Sequence, residues 1–207
     1  CSLISMQSCS LVQFKMSAKE RDMVDKLLVN PRPVCVGRYI FDLPEQFELG
    51  GSTVFINGQK VEAEPMPLPA FEQRIMLREQ EIIATKTINK INEPFFRGIH
   101  RLPSGMTGVI FERNFDTLAP QIFRVLEAHI YHNGIAFMTQ LDAKNTDNDV
   151  NLARKKRYPT NINAKLSELH NLLGRLHGVQ DGDPLPEGPA LCFAHGYLLG
   201  TNRDVVG

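Results

Sequence analysis

Two Asn-Gly pairs, Asn57-Gly58 and Asn133-Gly134, constrain this chain more than any other feature. A two-residue hairpin loop needs positive φ at both central positions, and Asn followed by Gly tolerates that best. Each pair sits between runs that read as strands. Val54 and Ile56 face one way before the first turn, and Val61 and Ala63 do so after it. Around the second, FRVLEAHIYHNGIAFMTQLD sets Val125, Glu127, His129 and Tyr131 against Leu126, Ala128, Ile130 and His132. That period of two predicts a hairpin and not a helix. A further hairpin is expected in FFRGIHRLPSGMTGVIFER, turning at Pro103-Ser104-Gly105. Residues 34–42 are rich in β-branched and aromatic side chains and read as one strand ended by Pro44. A last strand is expected through Cys192, Phe193 and Tyr197-Leu198-Leu199, after a proline-glycine loop.

Between these lie stretches with helical spacing. Ser17 and Glu20 have capping-box spacing and precede Met23, Val24, Leu27 and Leu28 on one face. Asn30 to Pro33 end that helix, because proline excludes its predecessor from the helical region and has no N–H to give. A second helix is expected from about residue 69, with Phe71, Ile75, Met76, Ile82 and Ile83 forming its stripe. In NAKLSELHNLLGRLHG, Leu166, Leu169, Leu172, Leu173 and Leu176 share a face, with Gly178 expected as the left-handed residue beyond the helix end. The order of elements predicts an α+β fold: a mostly antiparallel sheet built from hairpins, with helices packed on one face.

Charge narrows the function. Lys+Arg and Asp+Glu both number 23, so nothing global favours nucleic acid, an acidic polymer or anionic lipid. Specificity must come from a local surface. No apolar run is long enough to span a bilayer as a helix. The chain begins CSLISMQSCS; residues 1–16 read as a leader remnant or a lipid-anchor segment, with Cys1 as the lipid-bearing residue and trimming as the alternative. The remaining residues, 17–207, form the folded part. Besides Cys1, there are Cys9, Cys35 and Cys192, at spacings that fit no zinc site. Cys35 and Cys192 would pair in an oxidising compartment and would be two small buried thiols in the cytosol.

A search for chemistry finds little. There is no G-x-S-x-G elbow, phosphate loop or dinucleotide fingerprint. His129 and His132 are three apart on a strand, so they face opposite ways and read as sheet-surface histidines. His170 and His177, seven apart on the expected helix, lie near one face but lack further ligands. NTDNDVN lacks the glycine and glutamate of a calcium loop and reads as a solvated loop. RKKR, Arg154 to Arg157, reads as an exposed stretch or a rim contact to an acidic protein. Arg38 reads as a sheet-surface cation or as an ion-pair partner of Asp42, four along the same strand. No cofactor or metal is expected. An enzymatic alternative needs dispersed residues such as His100, His129 and Asp142 brought together in a pocket. A third reading is a lipid-anchored envelope scaffold.

PVCVGRYIFDLPE, the Asn-Gly hairpin after it, PAFEQRIMLREQEI, LSELHNLLGRLHG and PEGPALCFAHGYLLG together resemble the N-terminal domain of the Tle-cognate immunity proteins. The similarity runs from about residue 17 to the end. It implies a non-enzymatic periplasmic protein that binds a cognate type VI secretion phospholipase effector and blocks access to its active site. It also implies that residues 17–207 are one lobe of a larger protein. Both Cys35 and Cys192 fall in the resembling blocks, and export then predicts a Cys35–Cys192 disulfide. The resemblance assigns no partner-contact residues. Phe95, Phe96, Tyr131 and Tyr158 are candidate anchors on condition that they are exposed.

Overall fold

The structure is a computed structural model that describes residues 16–45, 47, 50–51 and 53–200. Cys1, Cys9 and the expected lipid-anchor segment up to residue 15 lie outside the described residues. The elements run α1 (Ala18–Leu27), β1 (Pro31–Val36), β2 (Tyr39–Pro44), β3 (Thr53–Ile56), β4 (Gln59–Pro65), α2 (Leu68–Ala84), β5 (Phe96–His100), β6 (Thr107–Asn114), β7 (Phe123–His132), β8 (Ile135–Lys144), α3 (Leu152–Arg157), α4 (Ile162–Leu173), β9 (Leu176–Gly178), β10 (Ala190–Phe193) and β11 (Gly196–Leu199). A short 3-10 turn, Lys90–Asn92, precedes β5.

The chain forms two compact units. Among the described residues, one comprises 16–34, 41–45 and 47, the other 35–40, 50–51 and 53–200. In the first, α1 begins with the capping box: Ser17 Oγ accepts from Glu20 N–H at 3.2 Å, and Ser17 N–H donates to Glu20 Oε2 at 2.7 Å. Asn30, at φ 56°, follows it in the left-handed region.

The second unit is built on a six-stranded antiparallel sheet, ordered β3-β4-β8-β7-β6-β5. The expected hairpins supply its order. Asn57 and Gly58 have φ of 50° and 78°, and Asn133 and Gly134 have 49° and 77°, as the two-residue loops require. β8 then pairs with β4, Val61 opposite Thr139, and so joins the first hairpin to the rest. A three-stranded sheet, β10-β11-β9, lies in the same unit.

The fold is α+β and mostly antiparallel, as the sequence predicts. The two longer helices, however, take opposite faces of the large sheet. Ile110 and Phe111 are neighbours on β6 and therefore point to opposite sides. Ile110 joins Val61, Leu126, Ile130 and Phe137 under the α4 residues Leu169, Leu172 and Leu173. Phe111 packs instead with Phe95 and Ile82 of α2. β7 is thus covered on both faces, and Arg124 through Ile130 are buried without a break.

Four sequence expectations change. Residues 34–42 are not one strand; they are the ribbon β1–β2, broken at Gly37 with φ 60°. Arg38 sits in that turn, so the premise that it lies four along a strand from Asp42 fails. The last strand is a hairpin, with Cys192 opposite Tyr197. The leucine helix ends at Leu173, and Leu176–Gly178 pair with β11. Gly174 weakens a continuing helix there, and a buried Leu176 satisfies either periodicity. His170 and His177 therefore do not share a helix. The basic run, read as exposed, has no buried residue and forms the helix α3, capped by Asn151.

Candidate functional site

Because both faces of β7 are covered, its polar residues must find partners inside the protein. On the α2 face, Glu127 has no exposed surface. Arg78 of α2 grips it bidentately, Nε to Oε1 at 2.7 Å and Nη2 to Oε2 at 2.8 Å. Arg113 Nε donates to Oε2 at 2.7 Å, and His129 Nε2 lies 2.9 Å from Oε1. Burial alone would raise the Glu127 carboxyl. The hydrogen bonds from Arg78, His129 and Arg113 outweigh it and hold the group well below the usual carboxylate range. His129 is buried in this cluster, which corrects the expectation of a surface histidine.

The opposite face carries a second cluster. Glu112 lies 3.2 Å from Arg124 Nε and 2.8 Å from His100 Nε2. Arg97 and Arg124 both donate to the side-chain oxygen of the fully buried Asn114. Burial, with the Arg97 charge adding to it, lowers the Arg124 guanidinium to about 10 against the pull of Glu112.

These clusters separate the residues that the enzymatic alternative needs together. His100 pairs with Glu112 on one face and His129 with Glu127 on the other. Asp142 is exposed on β8. A cavity of about 100 Å³ opens between α2 and the β4–β8 pair, lined by Glu62, Glu64, Phe71, Arg74, His129 and Met138. It takes in His129 without His100 or Asp142. Glu127, held by two guanidinium groups and the His129 ring, is a poor proton acceptor at neutral pH. Among the described residues, no group of three His, Cys, Asp or Glu side chains could hold a metal ion, and no helix is long and apolar enough to cross a membrane.

The aromatic anchors of the sequence reading are engaged elsewhere. Phe95 is buried in the core under α2. Phe96 packs edge-on against Phe111. Tyr131 donates to Met66 O at 2.9 Å, and Tyr158 packs edge-on against Phe123.

Large exposed apolar side chains lie elsewhere, some of them on two adjoining segments. The segment after α2 runs beside the β6–β7 loop, with Ile88 N–H donating to Thr117 O at 2.9 Å and Gln121 N–H to Asn92 Oδ1 at 3.2 Å. Asp116 caps the loop by accepting from Leu118 N–H and Ala119 N–H. On this pinned backbone Ile88, Ile91 and Leu118 are 71%, 71% and 69% exposed, and Phe115, in the same β6–β7 loop as Leu118, is 46% exposed. Large apolar side chains held outward on two hydrogen-bonded segments are the kind of surface that partner proteins cover. The sequence reading missed it because isolated isoleucines in a loop carry no periodic signal.

Cys35 and Cys192 are joined in a disulfide, with Cα atoms 5.7 Å apart. Backbone hydrogen bonds flank it: Gly37 N–H to Cys192 O at 3.0 Å, and Cys192 N–H to Gly37 O at 2.7 Å. The bond fastens the closed end of the β1–β2 ribbon to the edge strand β10.

The fold is thus an α+β domain that pairs its central buried charges, Glu127 with Arg78 and Arg113 and Glu112 with Arg124, inside the protein. The chain belongs to the family described as Tle cognate immunity protein 4 N-terminal domain, which matches residues 32–178. The block around Cys192 lies beyond the matched residues. Two solved structures share the fold. One is the crystal structure of the Tle4-Tli4 complex, at TM-score 0.58 and 15% identity, covering 81% of this chain and 50% of that one. The other is the apo structure of immunity protein TplEi of T6SS from Pseudomonas aeruginosa, at TM-score 0.57 and 15% identity, with coverage of 81% and 50%. The chain thus spans half the length of the solved chains it matches. No curated protein matches it in sequence.

Proposed function

We propose that this domain binds a cognate type VI secretion phospholipase effector and neutralises it by covering the approach to its active site, with no chemistry of its own. Family membership over residues 32–178 carries this reading. The separation of His100, His129 and Asp142 agrees with a role in binding. The contact surface is the patch formed by Ile88, Ile91, Phe115 and Leu118, whose rigid backbone lowers the ordering cost of association. A stable complex buries about 800 Å² on each partner, so this patch is the centre of a larger footprint. The Cys35–Cys192 bond is consistent with an oxidising compartment, and we place the domain in the periplasm.

The test is reconstitution with a type VI secretion phospholipase effector from the same strain. The two proteins should co-elute on size exclusion, and lipase activity should fall as the domain is titrated in. Ile88→Asp with Leu118→Asp should weaken both effects. Unchanged lipase activity with saturating domain, and no complex, would refute the proposal.

A further inference from the structure

We propose that the segment 150–158, centred on α3, docks this protein on an anionic phospholipid surface. α3 has the sequence LARKKR and none of its six residues is buried. A helix that contributes nothing to a core needs another reason for its composition. Just before it and at its start, Val150 is 96% exposed and Leu152 79% exposed.

The local charge differs from that of the whole chain. Lys144, Arg154, Lys155, Lys156 and Arg157 stand near Asp142, Asp147 and Asp149. Asp149 is turned inward, its carboxylate 3.2 Å from Arg154 Nε. The Asp147 carboxylate accepts from Thr160 Oγ1 at 2.7 Å, and its carbonyl accepts from Lys155 Nζ at 2.6 Å. The outward balance is therefore positive in a protein whose total charge is zero.

The backbone that presents these cations is held firmly. Asn151 Oδ1 accepts from Arg154 N–H at 3.0 Å, and Tyr158 N–H donates to Arg154 O at 2.8 Å. Thr146 Oγ1 donates to Tyr158 O at 3.0 Å, and Lys144 N–H to Asn161 Oδ1 at 2.6 Å. β8 and α4 thus clamp the segment from both ends.

Composition selects lipid over an acidic protein. Lysine is depleted at protein interfaces, where aromatic and arginine anchors supply the energy. The aromatic of this segment, Tyr158, is occupied by Phe123 and lies beneath Lys144 and Arg157, each 5.4 Å from its ring. Phospholipid headgroups instead reward each cation alike, lysine included. Two exposed aliphatic side chains beside the cations suit the boundary between headgroups and acyl chains.

The experiment uses the purified chain without any effector, so its outcome is independent of the immunity reading. The chain is sedimented with vesicles of phosphatidylcholine, and with vesicles of equal parts phosphatidylcholine and phosphatidylglycerol, at low and high salt. It should pellet with the anionic vesicles at low salt and be released by high salt. Lys155→Gln with Lys156→Gln should weaken partitioning about 30-fold, the factor for two surface cations. Val150→Asp with Leu152→Asp should weaken it further. Thermal melts should shift little, since no buried residue is altered and only the exposed Lys155–Asp147 contact is lost. Absence of pelleting with anionic vesicles overturns the proposal, as does pelleting that the lysine pair leaves unaltered. If the lysine variant binds vesicles normally but loses capture of a phospholipase effector from the same strain, the segment is an acidic-protein contact and the lipid proposal fails.

Discussion

Breaking the Cys35–Cys192 bond should cost this protein a large part of its stability while leaving its folded geometry intact. The two cysteines are 157 residues apart. Cross-linking so long a loop removes about 17 cal/mol/K of entropy from the unfolded chain, or about 5 kcal/mol at room temperature. Total stabilities of domains are about 5–15 kcal/mol, so the loss is a substantial fraction. The folded side of the balance changes less. The Gly37–Cys192 hydrogen-bond pair holds residues 35–40 against β10 without help from the sulfurs, and Cys192 is already buried. Urea unfolding of the oxidised protein, the reduced protein and the Cys35→Ser/Cys192→Ser variant should give a lower midpoint for the second and third. The slope should increase in both, because the denatured chain is less compact without the link. Thiol labelling of the denatured, unreduced protein should leave both cysteines unmodified. Equal midpoints with and without reductant would refute the reasoning. So would a reduced protein whose native spectrum differs from the oxidised one, since that would place the effect in the folded state.

Glu127→Gln keeps shape and removes the charge that Arg78 and Arg113 share; it should destabilise by about 3–5 kcal/mol, read from urea midpoints. The depressed Glu127 carboxyl contributes stability that is present above its unfolded value near 4.5 and is lost as pH falls toward its lower folded value. Midpoints measured through the acid range should therefore fall more steeply for the native protein than for Glu127→Gln. Leu169→Ala, at a fully buried α4 position, should cost about 2–5 kcal/mol by the same assay. Gly178→Ala should also destabilise, because its Cβ would meet His132 O at 2.2 Å and the Ile135 side chain at 2.8 Å. Ile88→Asp, on the exposed patch, should leave the midpoint within about 0.5 kcal/mol and be felt in effector binding alone.

The hairpins were legible because their determinants are local: an Asn-Gly pair needs no knowledge of the rest of the chain. The capping box at Ser17 was legible for the same reason. What failed to show depends on contacts across the fold. Leu176 is apolar on a helical face and equally apolar on a strand, and only β11, arriving twenty residues later, decides between them. The alternation of β7 suggested a half-exposed strand, with Glu127 and His129 on its polar side. Their burial comes from α2, whose Arg78 lies 49 residues away in sequence. Which face each helix takes is likewise unreadable from periodicity, since both stripes ask only for an apolar surface. The exposed patch draws on two loops whose proximity follows from strand pairing alone.

The two charge clusters on either side of β7 have a consequence for how this sheet aligns. If β7 slipped by a single position against its neighbours, Glu127 would turn toward the leucines of α4 and Arg124 toward α2. Each would then be an ion stranded in oil, far from its counter-charge. A purely aliphatic β7 could slide with little penalty. In this protein the alternating ions act as the wards of a key, so that one alignment of the central hairpin turns and every other jams.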